Sequence, residues 1–184
     1  MNNNISDKEI KNFYEQIYER SICGNPAYSI YDNLRIKKIK AFTKEEKQKK
    51  TLIIGCGNRN DIELMNTFGN ISAFDLSFKA VNSIYRDQKI FNADALAIPI
   101  KENYFDLVIC SEVLEHIPKI DVAIKEINRV LKPQGVLIIS TPNWISLFGL
   151  SRFLVETATK KMVSSDNQPY DDWKTIWKLR RELS

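Results

Sequence analysis

Between residues 51 and 141, short apolar segments alternate with amphipathic helical patterns, and this alternation constrains the fold most strongly. Five apolar segments predict strands at 51–54, 71–76, 90–94, 105–110 and 135–141. Helical spacing separates them at about 59–67, 77–87 and 119–131. Strands that are apolar throughout are typical of a parallel sheet covered on both faces. We therefore predict an α/β fold, a Rossmann-like three-layer sandwich around a mainly parallel sheet of five strands.

Helical patterns also flank this core. Residues 7–20 and 28–42 predict two N-terminal helices, and the stretch after Pro142 predicts two more without any strand pattern. We therefore divide the chain into N-terminal helices with a lid and linker role (1–50), a cofactor-binding core (51–142) and a C-terminal helical segment (143–184). Because a bare fifth strand would pair with other chains, we expect the C-terminal helices or a partner copy, as in a homodimer, to cover it.

The composition suits one domain with an apolar core, since 43% of the 184 residues are hydrophobic. The net charge of +4 is small, but residues 35–50 carry eight lysines and arginines against Glu45 and Glu46. We interpret this stretch mainly as a solvated helix face, with contact to an anionic partner left open. There is no strong nucleic-acid signal.

Neither a metal site nor export is indicated. Cys23, Cys56 and Cys110 are far apart and form no C-x-x-C pair, so no zinc or other metal site and no disulfide framework is predicted. The N-terminus is too polar for a signal peptide, and no apolar run is long enough for a transmembrane helix. We therefore predict a cytoplasmic protein.

Glycines and carboxylates stand just after the first three predicted strands. Gly55 and Gly57 follow the first strand, where glycine permits positive φ and close approach of a ligand to the backbone. Asp75 ends the second strand, where a carboxylate can accept hydrogen bonds from ribose hydroxyls. Asp94 follows the third, where it can accept one from the amine of adenine. Each could instead be an ordinary turn or cap residue, but together they predict a nucleoside site.

The loop after the first strand distinguishes between cofactors. A nicotinamide dinucleotide fingerprint has a third glycine, and that position here is Asn60. The third glycine lets the helix pack closely beneath a pyrophosphate. Its absence favours a nucleoside cofactor without phosphates.

The segments "LIIGCGN", "AFDLS", "FNADALAIPIKENYFDLVICSEVLEHI" and "EINRVLKPQGVLIISTPN" resemble the successive motifs of class I S-adenosylmethionine-dependent methyltransferases, type 11 domains in particular. The resemblance covers residues 51–143. It implies strand order 3-2-1-4-5, S-adenosylmethionine as cofactor and S-adenosylhomocysteine as product. The C-terminal antiparallel strands 6 and 7 of that family have no counterpart pattern here.

The resemblance also implies a set of site residues. Gly55, Cys56, Gly57 and Asn58 are expected to line the methionine and ribose portions of the cofactor, and Asp75 and Leu76 the ribose hydroxyls. Asp94 and Ala95 are expected to contact the adenine, and Ser111, Glu112 and Val113 the methionine end. This sequence departs from the family at Ile53, where an acidic residue is usual, at Arg59 in place of a third glycine, and at Gln134 in place of a glycine.

His116 is the only histidine and the one candidate for a catalytic base, because histidine exchanges protons near neutral pH. A structural role for this "LEH" turn residue is the alternative. Glu115 beside it is interpreted as a surface or turn residue.

These observations predict a methyltransferase for a small-molecule or lipid-like acceptor. The alternatives are a cofactor-binding or interaction module without turnover and, further off, a NAD-dependent oxidoreductase. The apolar stretch 144–155 predicts a hydrophobic lid or a peripheral membrane contact, with a core helix as the alternative.

Overall fold

The computed structural model describes residues 5–19, 26–43, 49–57, 70–82, 89–143, 145–159, 169–172 and 175–183. Within them the helices are α1 (Asp7–Glu19), α2 (Pro26–Phe42), α3 (Phe78–Asn82), α4 (Ile120–Val130), α5 (Leu147–Thr159) and α6 (Ile176–Leu183). The strands are β1 (Lys50–Ile54), β2 (Asn70–Asp75), β3 (Lys89–Asn92), β4 (Phe105–Ser111) and β5 (Leu131–Ser140). The helix predicted at 59–67 lies outside the described residues, as does the end of the one predicted at 77–87.

The strands form one parallel sheet in the order β3-β2-β1-β4-β5, which confirms the predicted order. Asp75 at the end of β2 lies opposite Asn92 of β3, and Ser111 at the end of β4 lies opposite Ser140 of β5. The strands therefore finish nearly level. Residues that follow different strands are brought to one edge of the sheet.

Each face of the sheet carries its own buried cluster, because successive side chains of a strand point to opposite faces. Leu52 and Ile54 belong to the cluster that also contains Ile124 and Ile127 of α4. Ile53 points the other way and is 1% exposed, in a cluster with Ile36 of α2. Position 53 is therefore a core position beneath α2, and it supplies no acidic group to the site.

The segment between α4 and β5 differs from its prediction. Helix α4 ends at Val130, and β5 begins at the next residue instead of at Gly135. Leu131 pairs with Phe105, and the regular register then resumes only at Val136, so the residues between them interrupt the pairing. Gln134 has a φ of 64° in this interruption. A side chain at position 134 is thus held in the left-handed conformation that glycine adopts more readily.

The C-terminal helices sit differently from an ordinary amphipathic pair. Helix α6 packs beside α4, and its Leu179 joins the core cluster on that face. Helix α5 buries Arg152 and Glu156 while Leu150 and Leu154 are more than half exposed. Its polar side therefore faces the protein and its apolar side faces outward. None of the described helices is both long and apolar enough to cross a bilayer.

Candidate functional site

A pocket lies at the carboxyl edge of the sheet, where residues at or just after the ends of β1 to β4 meet helix α1. Parallel sheets bind ligands at this edge because loops from several strands converge there. Of the residues named from the sequence, those that line this pocket are Gly55, Asp75, Leu76, Asp94, Ala95, Glu112, Val113 and His116. The structure thus gathers into one place residues that are up to about sixty positions apart in the chain.

The glycine loop after β1 is tightly constrained. Gly55 and Gly57 have φ values of 70° and 58°, in the left-handed region. A Cβ atom on Gly55 would lie 2.3 Å from Cγ2 of Val113, which is too close for any side chain. The Gly55 amide donates to the Phe74 carbonyl at 2.9 Å, which ties the loop to β2. Gly55 therefore keeps the bottom of the pocket open while its backbone stays close to Val113.

Asp75 is buried and organises the adjoining loops. Its Oδ2 accepts a hydrogen bond from the Gly57 amide at 2.9 Å, and its Oδ1 accepts one from the Ser77 amide at 2.9 Å. Burial raises the pKa of this carboxyl, although the two amide hydrogen bonds oppose the shift. Each carboxylate oxygen has a second lone pair, so Asp75 can hold both loops and still accept from a ligand.

Asp94 is fixed by its own turn. Its Oδ1 accepts a hydrogen bond from the Leu96 amide at 2.9 Å, and the following Ala95 is 7% exposed. Asn92 links this strand end to β2, because its side-chain amide donates to the Asp75 carbonyl at 2.9 Å. The ends of β2 and β3 therefore form one hydrogen-bonded wall of the pocket.

Glu112 has an unusual backbone, with a φ of 56° directly after β4. Its amide donates to the Ser140 carbonyl at 2.9 Å, and its Oε1 accepts from the Ser140 hydroxyl at 2.8 Å. That hydroxyl lies 2.6 Å from the Ser111 hydroxyl, to which Arg35 Nη1 donates at 2.5 Å. Since Ser140 donates to Glu112, the Ser111 hydroxyl donates to Ser140. A relay from α2 thus orients a pocket carboxylate.

Three further predicted cofactor residues, Cys56, Gly57 and Ser111, are not among the residues that line the pocket. Cys56 is 0% exposed and its side chain packs in the cluster beneath α2, so a contact between Cys56 and the cofactor stays a prediction for its backbone. Gly57 acts through its amide on Asp75, and Ser111 through the relay to Glu112. Asn58 lies outside the described residues.

The turn after β4 places Glu115 and His116 at the side of the pocket. Glu115 is 1% exposed, so of its two interpretations the surface residue is wrong, while its place in the turn Leu114–His116 agrees with the other. Burial, reinforced by the charges of Glu112 and Asp171, raises the pKa of Glu115 to about 8. Glu115 Oε1 lies 3.7 Å from His116 Nε2. At neutral pH the carboxyl beside the imidazole is therefore protonated.

Helix α1 closes the pocket with residues that the motifs did not indicate. Asp7, Ile10 and Tyr14 line it, and the Tyr14 ring centroid lies 6.2 Å from that of His116. The sequence carries one signal for them, because Ile10 and Tyr14 are four residues apart and therefore lie on one side of the helix predicted at 7–20. Where that face docks is decided only by the tertiary structure. The lid role proposed for 1–50 is consistent with these contacts.

The charges around the pocket are one-sided. Four carboxylates line it, and the described lining residues include neither lysine nor arginine; the carboxylates belong to Asp7, Asp75, Asp94 and Glu112. Asp7 is partly neutralised at the rim, since Lys119 donates to it at 2.7 Å. Such a pocket favours a cationic ligand and disfavours a pyrophosphate.

Comparison with known proteins agrees with this architecture. Residues 52–139 match the model of a family described as a methyltransferase domain. An uncharacterised protein of Methanocaldococcus jannaschii is 32% identical over 148 residues, covering 76% of this chain and 64% of that protein. The chain therefore spans slightly less than two thirds of that relative.

Two further similarities carry more specific names. A ubiquinone biosynthesis O-methyltransferase of Pelagibacter ubique is 29% identical over 164 residues, which is 77% of this chain and 67% of that protein. A Thermotoga maritima structure described as a possible histamine N-methyltransferase superposes with a TM-score of 0.70 at 16% identity, covering 95% of this chain and 77% of that one. At 16% identity, the similarity to the Thermotoga structure shows the fold alone.

Proposed function

Since residues 52–139 match the model of a family described as a methyltransferase domain, and the fold is that of a solved structure described as a methyltransferase, we propose that this chain transfers a methyl group from S-adenosylmethionine to a small-molecule acceptor. S-adenosylmethionine is the cofactor that the family and the fold imply. The acceptor and the turnover itself are parts of the proposal.

The acidic character of the pocket carries the proposal. S-adenosylmethionine presents a positive sulfonium and a positive amino group, while NAD presents a negative pyrophosphate. A site lined by four carboxylates, without a lysine or arginine among its described lining residues, suits the first and opposes the second. The same observation argues against the alternative of a NAD-dependent oxidoreductase.

The individual residues fit parts of that cofactor. Asp75 would accept the ribose hydroxyls, and Asp94 with Ala95 would contact the adenine. The Gly55 backbone lies directly against the Val113 side chain, which leaves no room for a side chain at position 55, and Glu112 offers an oriented carboxylate to a cationic group. With Ile53 buried beneath α2, Glu112 takes over the role of the acidic residue that the family usually has at that position.

On the acceptor side, we propose His116 as the base that removes a proton from a hydroxyl group. The cofactor supplies an electrophilic methyl group, so the protein must position the nucleophile, exclude water and accept the proton. His116 lines the pocket beside Tyr14 of helix α1, and this arrangement supports positioning of the nucleophile, exclusion of water and acceptance of the proton. The O-methyltransferase name of the Pelagibacter relative supports a hydroxyl acceptor, including one with a lipid-like tail.

The alternative is a module that binds the cofactor without turnover. The buried Glu115, the hydrogen-bonded Glu112 and helix α1 over the pocket would serve cofactor binding without turnover equally well. The two functions separate by whether bound S-adenosylmethionine is ever converted to S-adenosylhomocysteine.

Calorimetry tests the proposal directly. Titration with S-adenosylmethionine and S-adenosylhomocysteine should show binding, and titration with NAD should show none at the same concentrations. Mass spectrometry should then detect S-adenosylhomocysteine when S-adenosylmethionine is incubated with the chain and a mixture of small phenols and catechols. NAD binding in place of the adenosyl ligands would contradict the cofactor assignment, and binding without product would favour the alternative module.

A further inference from the structure

The C-terminal part of the chain brings a buried charge cluster next to His116. Arg152 of α5 is 5% exposed; its Nε donates to Glu156 at 2.9 Å, and its Nη1 donates to Asp171 at 2.6 Å. Its Nη2 also donates to the Asp171 carbonyl at 2.7 Å. One guanidinium therefore holds Asp171 by both its side chain and its backbone. Such two-point contacts fix geometry as well as charge.

Asp171 presents its other oxygen to the imidazole. Its Oδ1 lies 3.8 Å from His116 Nδ1, and the Tyr170 carbonyl oxygen lies 3.4 Å from the same nitrogen. A carbonyl oxygen can only accept, and a carboxylate can only accept, so this side of the ring favours a proton on Nδ1. The lone pair of a neutral imidazole is then left on Nε2.

The charge balance around the ring supports the same arrangement. Among the described residues, the Arg152 guanidinium is paired with two buried carboxylates, those of Glu156 and Asp171. Also described beside the ring are the Glu115 carboxyl, 3.7 Å from Nε2, and the Tyr14 ring of α1. An imidazolium at position 116 would therefore be stabilised mainly by Asp171.

We propose that Asp171, anchored by Arg152, is a positioning residue that holds His116 in the Nδ1–H tautomer and stabilises its protonated form. This inference rests on the proposed function, because the Nδ1–H tautomer leaves Nε2 as the atom that receives the proton of the acceptor's hydroxyl group. That proton moves from the hydroxyl oxygen to Nε2, and the electron pair of the O–H bond stays on the oxygen. The C-terminal segment thus takes part in the site through His116.

The single histidine makes the test unambiguous. In the full-length chain labelled with nitrogen-15, long-range nitrogen–proton correlation spectra at a pH where the imidazole is neutral should show the proton on Nδ1. In Asp171→Asn, Arg152 continues to donate to the side-chain oxygen, so the amide NH₂ group turns toward Nδ1. A donor there should move the proton to Nε2, with loss of the Nδ1–H signal.

The neighbouring Asp172 provides a matched control. Its carboxylate accepts a hydrogen bond from Lys178 Nζ at 3.2 Å, so Asp172→Asn should leave the tautomer unchanged. An Nε2–H tautomer in the unmodified chain would overturn the proposal whether or not the variants fold. An unchanged tautomer in folded Asp171→Asn would overturn it too.

The spectra also separate this inference from the proposed function. The spectra need neither cofactor nor acceptor. Absence of S-adenosylmethionine binding would therefore contradict the proposed function without affecting the result on the tautomer. Conversely, cofactor binding and product formation in a chain whose His116 carries its proton on Nε2 would support the proposed function and would show that Asp171 does not position His116.

Discussion

At the scale of the single residue, Asp75 has the most concentrated role in the site. One buried carboxylate fixes the glycine loop through Gly57 and the start of α3 through Ser77. It also stands where a ribose would bind. Its cost of burial is offset by those two amide donors, which is why it can remain an acceptor in a poorly hydrated place.

We expect Asp75→Ala to weaken S-adenosylhomocysteine binding by about 100-fold, because about two charge-assisted hydrogen bonds would be lost. Calorimetry measures this directly. Asp106→Ala is the matched control, since Asp106 lies near the opposite end of β4 and pairs with Lys132 at 2.7 Å. Equal affinity in Asp75→Ala and Asp106→Ala would contradict the ribose assignment.

Glu115 predicts a specific pH dependence of stability. Its pKa is raised to about 8 from an ordinary value of 4.5, mainly by burial. Between these two pH values the folded chain holds one proton more than the unfolded chain. Its contribution to the free energy of unfolding is therefore complete below the lower value and is lost as pH rises, by roughly 1 kcal/mol per pH unit.

Glu115→Gln removes this titration, so the stability of the variant relative to the unmodified chain should rise steadily between pH 5 and 8. Denaturant unfolding at several pH values measures the difference. Glu102→Gln, at an exposed position, is the control and should show no such trend. Parallel pH profiles for Glu115→Gln and the unmodified chain would show that Glu115 is charged when folded.

At the scale of the element, helix α1 is attached to the sheet edge by a cap that it provides to another helix. Glu15 accepts the Phe78 amide at 2.6 Å and the Lys79 amide at 3.2 Å, at the start of α3. The Ser77 hydroxyl accepts the Ala80 amide at 3.2 Å, as the side chain of an N-cap residue does. Helix α1 is thus fixed to the start of α3 by hydrogen bonds.

Glu15→Ala should lower the free energy of unfolding by about 1 kcal/mol, as loss of a capping group does. It should also speed hydrogen exchange at the Phe78 and Lys79 amides and along α1. Hydrogen-exchange mass spectrometry measures both regions. Gln16→Ala, an exposed substitution on the same helix, should change neither, and protection that stays intact in Glu15→Ala would mean that α1 is held elsewhere.

Helix α5 shows what periodicity alone cannot decide. The sequence pattern correctly predicts a helix in this region, but it does not predict which side faces the protein. Arg152 binds Asp171 in the interior, so the charged side is buried and Leu150 and Leu154 face outward. Locally, a buried salt-bridged cluster has thus taken precedence over the burial of apolar side chains.

At the scale of the whole molecule, ligand binding should stabilise the entire fold, because the pocket joins residues from four strand ends and from α1. At 100 times its dissociation constant, S-adenosylhomocysteine should add about 2.7 kcal/mol. For a chain of this size that corresponds to a rise in Tm of about 5–10 °C. Thermal unfolding followed by circular dichroism measures it. NAD at the same concentration should leave Tm unchanged, and S-adenosylhomocysteine at that concentration should add only about 0.4 kcal/mol to Asp75→Ala, whose binding is expected to be about 100-fold weaker.

The parallel sheet and the main polar groups of the site were predictable because both follow from local pattern, while the order of the strands was implied by the family resemblance. Five apolar segments with intervening helices specify a parallel sheet, and parallel strands bring their carboxyl ends to one edge. Gly55, Asp75 and Asp94 could therefore be placed together before any coordinates. Cys56 could not, because a one-residue change along the loop turns a side chain from the pocket into the core beneath α2.

The sequence by itself determined the α/β class, the glycine loop and the acidic residues at the strand ends, since each depends on the spacing of nearby residues, and its resemblance to a known family implied the strand order. Only the tertiary structure decided that Glu115 is buried, that Arg35 orients Glu112 through two serines, that α1 covers the pocket and that Asp171 faces His116. Those contacts join positions far apart in the chain. Whether two distant charged groups meet depends on how helices dock and what burial costs, and neither is encoded in local periodicity.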